Sequence, residues 1–182
     1  MPELTATPGQ TIGPFFGYAL PFERGNELVA PGSTGAIQLH GTVTDGAGAP
    51  VPDALLEIWQ ADANGAVATS GSLRRDGHTF TGWGRAATDA DGHYSFTTVK
   101  PGAPQGSTPF ISVAVFARGL LNRLFTRAYL PGDHLDGDRL LNSVAPDRRH
   151  TLIAEPDDVG FRFDIRLQGA EETVFLRYRG QP

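Results

Sequence analysis

The chain has 182 residues, of which 40% are hydrophobic and 19% are charged, and its formal net charge is −5. This size and composition predict one globular domain with a full hydrophobic core, and the acidic balance argues against nucleic acid as a partner. Because the sequence contains no cysteine, disulfides and thiolate metal sites are excluded. The 23 glycines and 14 prolines favour a β-rich fold with many turns over a helical bundle.

The N-terminal region shows neither the basic nor the apolar stretch of a secretory signal. No apolar run in the chain approaches the ~20 residues that span a bilayer, so we expect a cytoplasmic protein. Residues 1–35 have no sustained periodicity, yet they are too apolar for a disordered tail. We therefore predict an N-terminal arm over residues 1–35 that packs on its own domain or on a partner.

Strand patterns follow from residue 37 onwards. Period-two alternation or short apolar runs between turn residues predict strands at 37–43, 54–59, 94–99, 110–117, 124–130, 161–167 and 173–178. Residues 66–83 are predicted to form a loop, residues 136–144 one short helix, and Trp59 part of the core. The chain 1–182 is thus predicted to be a single all-β domain. Its residues 36–182 would form an immunoglobulin-like antiparallel β-sandwich with at most a short helix.

The side chains that usually carry chemistry are scattered. A mononuclear metal site needs three or four converging ligands, and no two of the histidines have the close spacing that is typical of such a site. We therefore predict that these histidines lie at the surface and that the chain holds no metal. Nucleophile elbows, Ser–His pairs and phosphate-binding glycine loops are also missing from the sequence, so the residues alone predict no independent catalysis. The histidines are His40, His78, His93, His134 and His150.

A set of short motifs, in this order along the chain, resembles the intradiol ring-cleavage dioxygenases. The motifs are TIGPFF at 11–16, GTVTD at 41–45, EIWQADANG at 57–65, GRAAT at 84–88, DGHYSF at 91–96 and VKPG at 99–102. Further segments resemble the α subunit of the family's two-chain members, namely VFARG at 115–119, FDIRLQG at 163–169 and ETVF at 172–175. Each motif is short, and their common order makes the resemblance specific. It covers residues 10–178.

The chain departs from the iron-bearing members at the positions that matter most. In those members, by resemblance, two tyrosines and two histidines hold ferric iron on a β-sandwich. The segments in which the two tyrosines are expected, 61–89 and 103–106, contain no tyrosine, and the histidine pair falls on Phe110 and Ser112. Phenylalanine and serine offer no donor comparable to imidazole. The resemblance therefore implies a chain without iron ligands and argues strongly against a self-sufficient catechol or hydroxyquinol dioxygenase.

What the resemblance implies instead is an α subunit that is inactive alone. It would help to form the active site of a β subunit that binds the Fe(III), within a large α/β hetero-oligomer that cleaves an aromatic dihydroxy acid with O₂. Gly13, Pro14 and Phe15 would line the substrate pocket, where a glycine without a side chain lets a planar ring approach closely. Arg118 would attract the anionic substrate. The residues alone favour a packing turn at Gly13 and Pro14, and a solvated or salt-bridged strand end at Arg118.

Two other functional classes stay open at this point. A non-catalytic binding module of the transthyretin or carboxypeptidase-regulatory type shares the turn pattern at 91–96, and it would be a stable monomer without need of an apolar arm. A stand-alone iron dioxygenase with displaced ligands would be purple-red when purified. Its phenolate ligands would have to come from four tyrosines, no two of which are close in sequence: Tyr18, Tyr94, Tyr129 and Tyr178.

Overall fold

The computed structural model describes residues 10–11, 13, 15–69, 73–132 and 135–178, apart from the side chain of Gln105. Within these residues the strands are β1 Ala36–Thr44, β2 Leu55–Trp59, β3 Trp83–Ala87, β4 His93–Val99, β5 Ile111–Phe116, β6 Leu124–Ala128, β7 Glu155–Pro156, β8 Phe161–Arg162 and β9 Ile165–Arg166. The α-helices are α1 Phe16–Ala19 and α2 Arg139–Ser143, and the 3₁₀ turns are Pro104–Gly106, Leu135–Gly137 and Pro146–Leu152. Among these described helices, none has the length and apolar character that crossing a membrane requires.

The strands form two sheets that enclose one main core. One sheet has the order β4-β1-β8-β7, with β9 also pairing with β1, and the other has the order β3-β2-β5-β6. The second sheet is antiparallel throughout. Side chains that alternate along the strands are buried between the sheets, as Ile111, Val113 and Val115 of β5 are. The predicted all-β architecture of two sheets is thus confirmed, whereas the immunoglobulin-like topology stays a prediction.

The expectation of a wholly antiparallel sandwich is wrong at β1, which pairs in parallel with both β8 and β9. The chain reaches these strands through a long connection after β6, which is what a parallel pairing requires. The predicted single strand at 161–167 is also divided in two. At the division the side chain of Asp164 accepts hydrogen bonds from the backbone N–H of Thr42 at 2.9 Å and from its hydroxyl at 3.1 Å. The Asp164 carboxylate thus takes the place of the backbone carbonyl that would accept the hydrogen bond of Thr42 in a continuous β-ladder.

The predicted last strand at 173–178 is also absent from the described residues, where only an isolated bridge joins Leu176 to Phe125. Threonine side chains take the hydrogen bonds that a neighbouring strand would have taken. The hydroxyl of Thr126 donates to the carbonyl of Val174 at 2.9 Å, and the N–H of Val174 donates to the hydroxyl of Thr151 at 3.1 Å. Side-chain bonds of this kind compete with strand ladders.

The strands β3 and β7, the helix α1 and two of the 3₁₀ turns were not predicted, and Trp59 was misplaced. The strand β3 begins at the end of the predicted loop, and its glycine and alanines are weak strand formers, so the pattern was missed. The helix α1 is a single turn with no buried residue, so it leaves no apolar period. Trp59 was predicted to be core, yet it is 41% exposed, because Leu56 and Ile58 take the inward positions of β2.

The described part of the predicted arm is not uniform. Leu28 belongs to the main core, and its N–H donates to the carbonyl of Thr97 at 2.8 Å. The ring of Phe22 stacks on Trp83, with centroids 5.7 Å apart. Residues 20–29 are therefore part of the folded domain, whereas Phe15 and its neighbours in α1 project from it.

Gly41 offers a test of the close contact between β1 and the segment after β8. A Cβ at this position would collide with the backbone carbonyl of Phe163, so we expect Gly41→Ala to lower the free energy of unfolding by about 1–3 kcal/mol. Gly137→Ala is the matched control, since a Cβ there meets no atom within 4 Å, and we expect a change within about 0.5 kcal/mol. Urea unfolding measures both. Equal stability of the two variants would contradict the described packing.

Candidate active-site surface

Arg118 lies in a tight turn that follows β5. Ala117 is fully buried at the end of the strand, and Gly119 adopts a φ of +91°, a backbone conformation that favours glycine. Arg118 therefore stands between the buried Ala117 and Gly119, whose backbone conformation few residue types other than glycine adopt. Its side chain is 60% exposed. The structure therefore presents this guanidinium to solvent at one end of the β3-β2-β5-β6 sheet.

Asp53 pairs with this arginine, an interaction that the sequence analysis missed. Oδ2 of Asp53 lies 2.9 Å from Nε of Arg118, and the aspartate side chain is mostly buried. Nothing in the local pattern marks Asp53, which lies in a turn before β2 and is 65 positions from its partner. The expected salt-bridged strand end is confirmed, and the aspartate offsets part of the positive field of Arg118.

The N-terminal segment meets the same turn. The N–H of Gly119 donates to the hydroxyl of Thr11 at 2.9 Å, and a Cβ on Gly17 would lie 4.0 Å from the carbonyl oxygen of Asp53. The hydrogen bond joins residues 108 positions apart in sequence and, with the proximity of Gly17 to Asp53, brings the described part of the arm and the turn of Arg118 to one surface. We call it the arm surface, made of Thr11, Gly13, Phe15, Asp53 and Arg118.

The predicted pocket residues lie on or beside this surface. Gly13 is exposed, and no atom lies within 4 Å of the position that a Cβ would take there. Phe15 precedes α1 and is 76% exposed. Pro14, the third predicted pocket residue of the arm, lies outside the described residues. Tyr18, one turn further on, is 87% exposed, so two large aromatic rings of a short segment are largely open to solvent.

Arg85 fixes the arm to the sheet. Its Nε and Nη2 lie 2.9 and 2.5 Å from Oε1 of Glu57, and its Nη1 donates to the carbonyl of Leu20 at 2.8 Å. The guanidinium also lies 5.1 Å from the centroid of the Trp83 ring. Because β2 and β3 pair Glu57 with Arg85, the strand register places this ion pair on the outward face of the sheet. The arm surface thus rests on a rigid support.

The positions at which the resemblance places iron-binding histidines lie on the same outward face. Ser112 faces Arg127 in the β5–β6 register, and Phe110 precedes β5. The guanidinium of Arg127 lies 3.7 Å from the centroid of the Phe110 ring. A fixed positive charge at this position repels a ferric ion, and the two aligned side chains supply no imidazole. These residues therefore do not fit a ferric centre.

The described tyrosines are no better suited as phenolate ligands. Tyr94 is buried and its hydroxyl donates to the carbonyl of Phe163 at 2.5 Å, while Tyr129 donates to Oδ1 of Asp138 at 3.1 Å. Burial raises the pKa of Tyr94 well above its usual value and the pKa of Tyr129 to about 12, so a metal ion would displace either phenol proton less readily than that of an exposed tyrosine.

The histidines do not assemble a metal site in the described residues either. His40 was predicted to lie at the surface, but its side chain is only 12% exposed, because its Nε2 contacts the carboxylate of Asp157 at 3.1 Å and the ring packs near His93. His134 lies outside the described residues. Across residues 10–178, apart from the gaps, no group of three or more His, Asp or Glu side chains has the geometry to hold a metal ion.

Comparison with known proteins assigns the family. A family profile described as Dioxygenase matches residues 13–169. The chain belongs to the intradiol ring-cleavage dioxygenase family. It is 39% identical to the protocatechuate 3,4-dioxygenase alpha chain of Burkholderia cepacia, over 97% of this chain and 99% of that one. It is 38% identical to the alpha chain of the same name from Pseudomonas putida, over 96% and 98%. The resemblance that the sequence motifs indicated is thus confirmed.

More distant members agree with this family. The protocatechuate 3,4-dioxygenase beta chain of B. cepacia is 35% identical over 78% of this chain and 68% of its own length. Among solved structures, the dioxygenase domain of a dioxygenase–carbohydrate-binding fusion from Streptomyces sp. SirexAA-E superposes with a TM-score of 0.62 and 30% identity, covering 80% of this chain and 88% of that domain. None of these comparisons supports a transthyretin-like or carboxypeptidase-regulatory module.

Tyr129 gives a pH prediction. The folded chain keeps the phenol proton up to a pKa of about 12, whereas the unfolded chain loses it near pH 10. Between these values the unfolded state binds fewer protons, so this residue makes the free energy of unfolding fall as pH rises, by up to about 1.4 kcal/mol per pH unit. We expect Tyr129→Phe to make that fall shallower. Tyr18→Phe, at an exposed ring, is the control and is expected to leave the slope unchanged.

Urea unfolding at several values between pH 9 and 12 measures these slopes. Tyr94 is also buried with a raised pKa, so some alkaline loss remains in Tyr129→Phe. An identical slope in wild type and Tyr129→Phe would show that the phenol ionises equally in both states.

Proposed function

We propose that this chain acts as the α subunit of a protocatechuate 3,4-dioxygenase. The assembled enzyme would insert both atoms of O₂ into 3,4-dihydroxybenzoate, cleave the ring between the two hydroxyl-bearing carbons and form 3-carboxy-cis,cis-muconate. The observation that carries the proposal is the near full-length identity of 38–39% to two alpha chains of that name. A beta chain of the same enzyme matches over a smaller share of both sequences.

The ferric iron of the assembled enzyme belongs, in this proposal, to a partner β subunit. In this chain, Phe110 and Ser112 supply no imidazole, the guanidinium of Arg127 lies over the first of them, and the buried tyrosines are held as neutral phenols. Each of these observations opposes ferric iron on this chain. The chain alone is therefore expected to be inactive.

The arm surface is the part of this chain that we assign to the partner's active site. Gly13, Pro14 and Phe15 would form a wall of the substrate pocket. The proposal draws support from the contact between Thr11 and Gly119, which holds the arm beside Arg118, and from the exposure of Phe15 and Tyr18. Exposed aromatic rings of this size favour cover by another protein, and a β subunit in a hetero-oligomer would provide it.

Arg118 would guide the anionic substrate to that pocket. Its Nε faces Asp53, and 60% of the side chain is exposed, so a carboxylate from solvent can reach the terminal nitrogens. A guanidinium has five N–H donors, and one ion pair does not saturate them. Asp53 weakens the attraction while it fixes the direction of the side chain. The two residues are thus expected to have opposite effects on substrate capture.

Co-expression with a β-type relative from the same genome tests the function. We expect the two chains to copurify, the iron to accompany the β chain, and O₂ consumption with 3,4-dihydroxybenzoate to require both. A chain that remains monomeric and colourless beside every β-type candidate would contradict the proposal and would favour the binding-module alternative.

Variants of the ion pair test the guiding role within that complex. We expect Arg118→Ala to raise the KM for 3,4-dihydroxybenzoate by about 2- to 5-fold at low salt, since an exposed charge contributes up to about 1 kcal/mol. Asp53→Asn removes the neutralising partner and is expected to lower that KM. Steady-state kinetics at two salt concentrations measures both effects.

Catechol, which lacks the carboxylate, is the control substrate for these variants. Its KM is expected to be the same in wild type and Arg118→Ala. Equal losses with both substrates would show that Arg118 supports the fold of the turn and does not attract the carboxylate.

A further inference from the structure

A cavity of about 1100 Å³ lies between residues 103–109, β6 and residues 137–143. Its volume is slightly above the usual range for small-molecule sites, and its wall is more apolar than polar. Neither Gly13, Phe15 nor Arg118 is among the residues that line it. The cavity is therefore separate from the arm surface, and nothing proposed above assigns it a role.

Arg127 gives the cavity a fixed cationic group. Its guanidinium is held against the Phe110 ring, 3.7 Å from the centroid, and its Nη1 donates to the hydroxyl of Tyr129 at 3.3 Å. Its Nε is buried and has no hydrogen-bond partner within the described residues. Because a guanidinium carries five N–H donors, most of the hydrogen-bonding capacity of this side chain is left for another acceptor.

The charges of the described lining residues favour an anion. The wall contains two cationic side chains, Arg127 and Arg139, and one carboxylate, Asp138. That carboxylate is already engaged, since its Oδ1 accepts hydrogen bonds from the hydroxyl of Tyr129 at 3.1 Å and from the N–H of Leu141 at 2.8 Å. Asp138 thus caps α2 and orients Tyr129, and one positive charge remains without a balancing carboxylate in the wall.

The rest of the wall suits a flat apolar group. Pro109 and Leu140 supply apolar surface. The hydroxyls of Ser107 and Ser143 donate to the backbone carbonyls of Pro104 and Leu140, each at 2.7 Å, so their protons are already committed. The strongest remaining donors of the wall are therefore the guanidinium groups. A ligand that combines a carboxylate with an aromatic ring meets both parts of the wall.

We propose that this cavity binds a small aromatic carboxylate on this chain itself. The carboxylate would pair with the guanidinium of Arg127, and the ring would lie against Pro109 and Leu140. The site needs no metal and no partner subunit. It is independent of the proposed ring cleavage, since the chain purified alone should bind the acid without transforming it.

Calorimetric titration of the full chain, purified alone and free of iron, tests this site. The ligand is 4-hydroxybenzoate, which has the ring and the carboxylate but lacks two adjacent hydroxyls. We expect a Kd on the order of 1 mM or tighter. The neutral analogue 4-hydroxybenzamide has nearly the same shape and is expected to bind at least about 10-fold more weakly, because it offers no charge to Arg127.

Arg127→Gln removes the charge and is expected to weaken 4-hydroxybenzoate at least about 10-fold. Arg123→Gln is the matched control, since Arg123 also lies over an aromatic ring, 4.9 Å from the centroid of Phe125, but is exposed and does not line the cavity. It should bind as wild type does. Circular dichroism and thermal unfolding check that each variant is folded.

Arg127→Lys provides a second variant if Arg127→Gln does not fold. It keeps the charge but loses the planar fork, so binding should weaken several-fold. Absence of binding in wild type, equal binding of the amide, or wild-type affinity in the folded Arg127 variants would each overturn the proposal. Because the titration uses neither a partner nor iron, its result does not depend on whether the α/β complex cleaves the ring.

Discussion

The alternation of side chains along β5 is the constraint on which the two faces of the β3-β2-β5-β6 sheet depend. Ile111, Val113 and Val115 point into the core, so Ser112 and Ala114 must lie on the opposite face. The inward residues are needed for stability, and burial of such side chains contributes about 1.5–3 kcal/mol each. Ser112 and Ala114 belong to neither of the two buried clusters, so their chemistry can change while the fold is kept. A family scaffold without iron ligands is a direct consequence.

In the proposed complex, the segment before β1 would connect this sheet to the partner. Its second half is part of the domain, since Leu28 fills the core and Phe22 stacks on Trp83. Of the described residues before Leu20, Thr11 accepts a hydrogen bond from the N–H of Gly119, and the rings of Phe15 and Tyr18 are largely exposed. The packed second half of this segment positions the exposed residues before it. A surface that completes another subunit's pocket requires such positioning. None of the residues of the arm surface lines the cavity at Arg127.

The sequence predicted the features that are local and regular. Period-two patterns and short apolar runs predicted β1, β2, β4, β5 and β6, and the ordered motifs identified the family. The pattern missed β3, whose glycine and alanines carry little strand preference. Trp59 was assigned to the core as a large aromatic residue of a sandwich strand, although the alternation with Leu56 and Ile58 puts it on the exposed face. The parallel pairing of β1 with β8 and β9 also could not be read from the sequence, because strand order depends on the path of the long connection.

The candidate site was predicted only in part, for a similar reason. Arg118 was identified by its motif, but its partner Asp53 and the contact between Thr11 and Gly119 join residues far apart in sequence. Only the folded chain brings such pairs together. Arg127 could have been noticed as a charged residue within a predicted strand, but only the structure shows that it stacks on Phe110. The residues that the family resemblance did not identify are thus those whose role depends on tertiary contacts.

Exposure of the separately purified chain to ferric iron shows whether this chain can hold the metal of its family. After removal of unbound iron, we expect a colourless protein with far less than one iron per chain, because the guanidinium of Arg127 and the raised pKa of the buried phenols oppose iron binding. A purple-red protein with one iron per chain, whose visible absorption arises from tyrosinate-to-iron charge transfer, would instead place the catalytic centre on this chain.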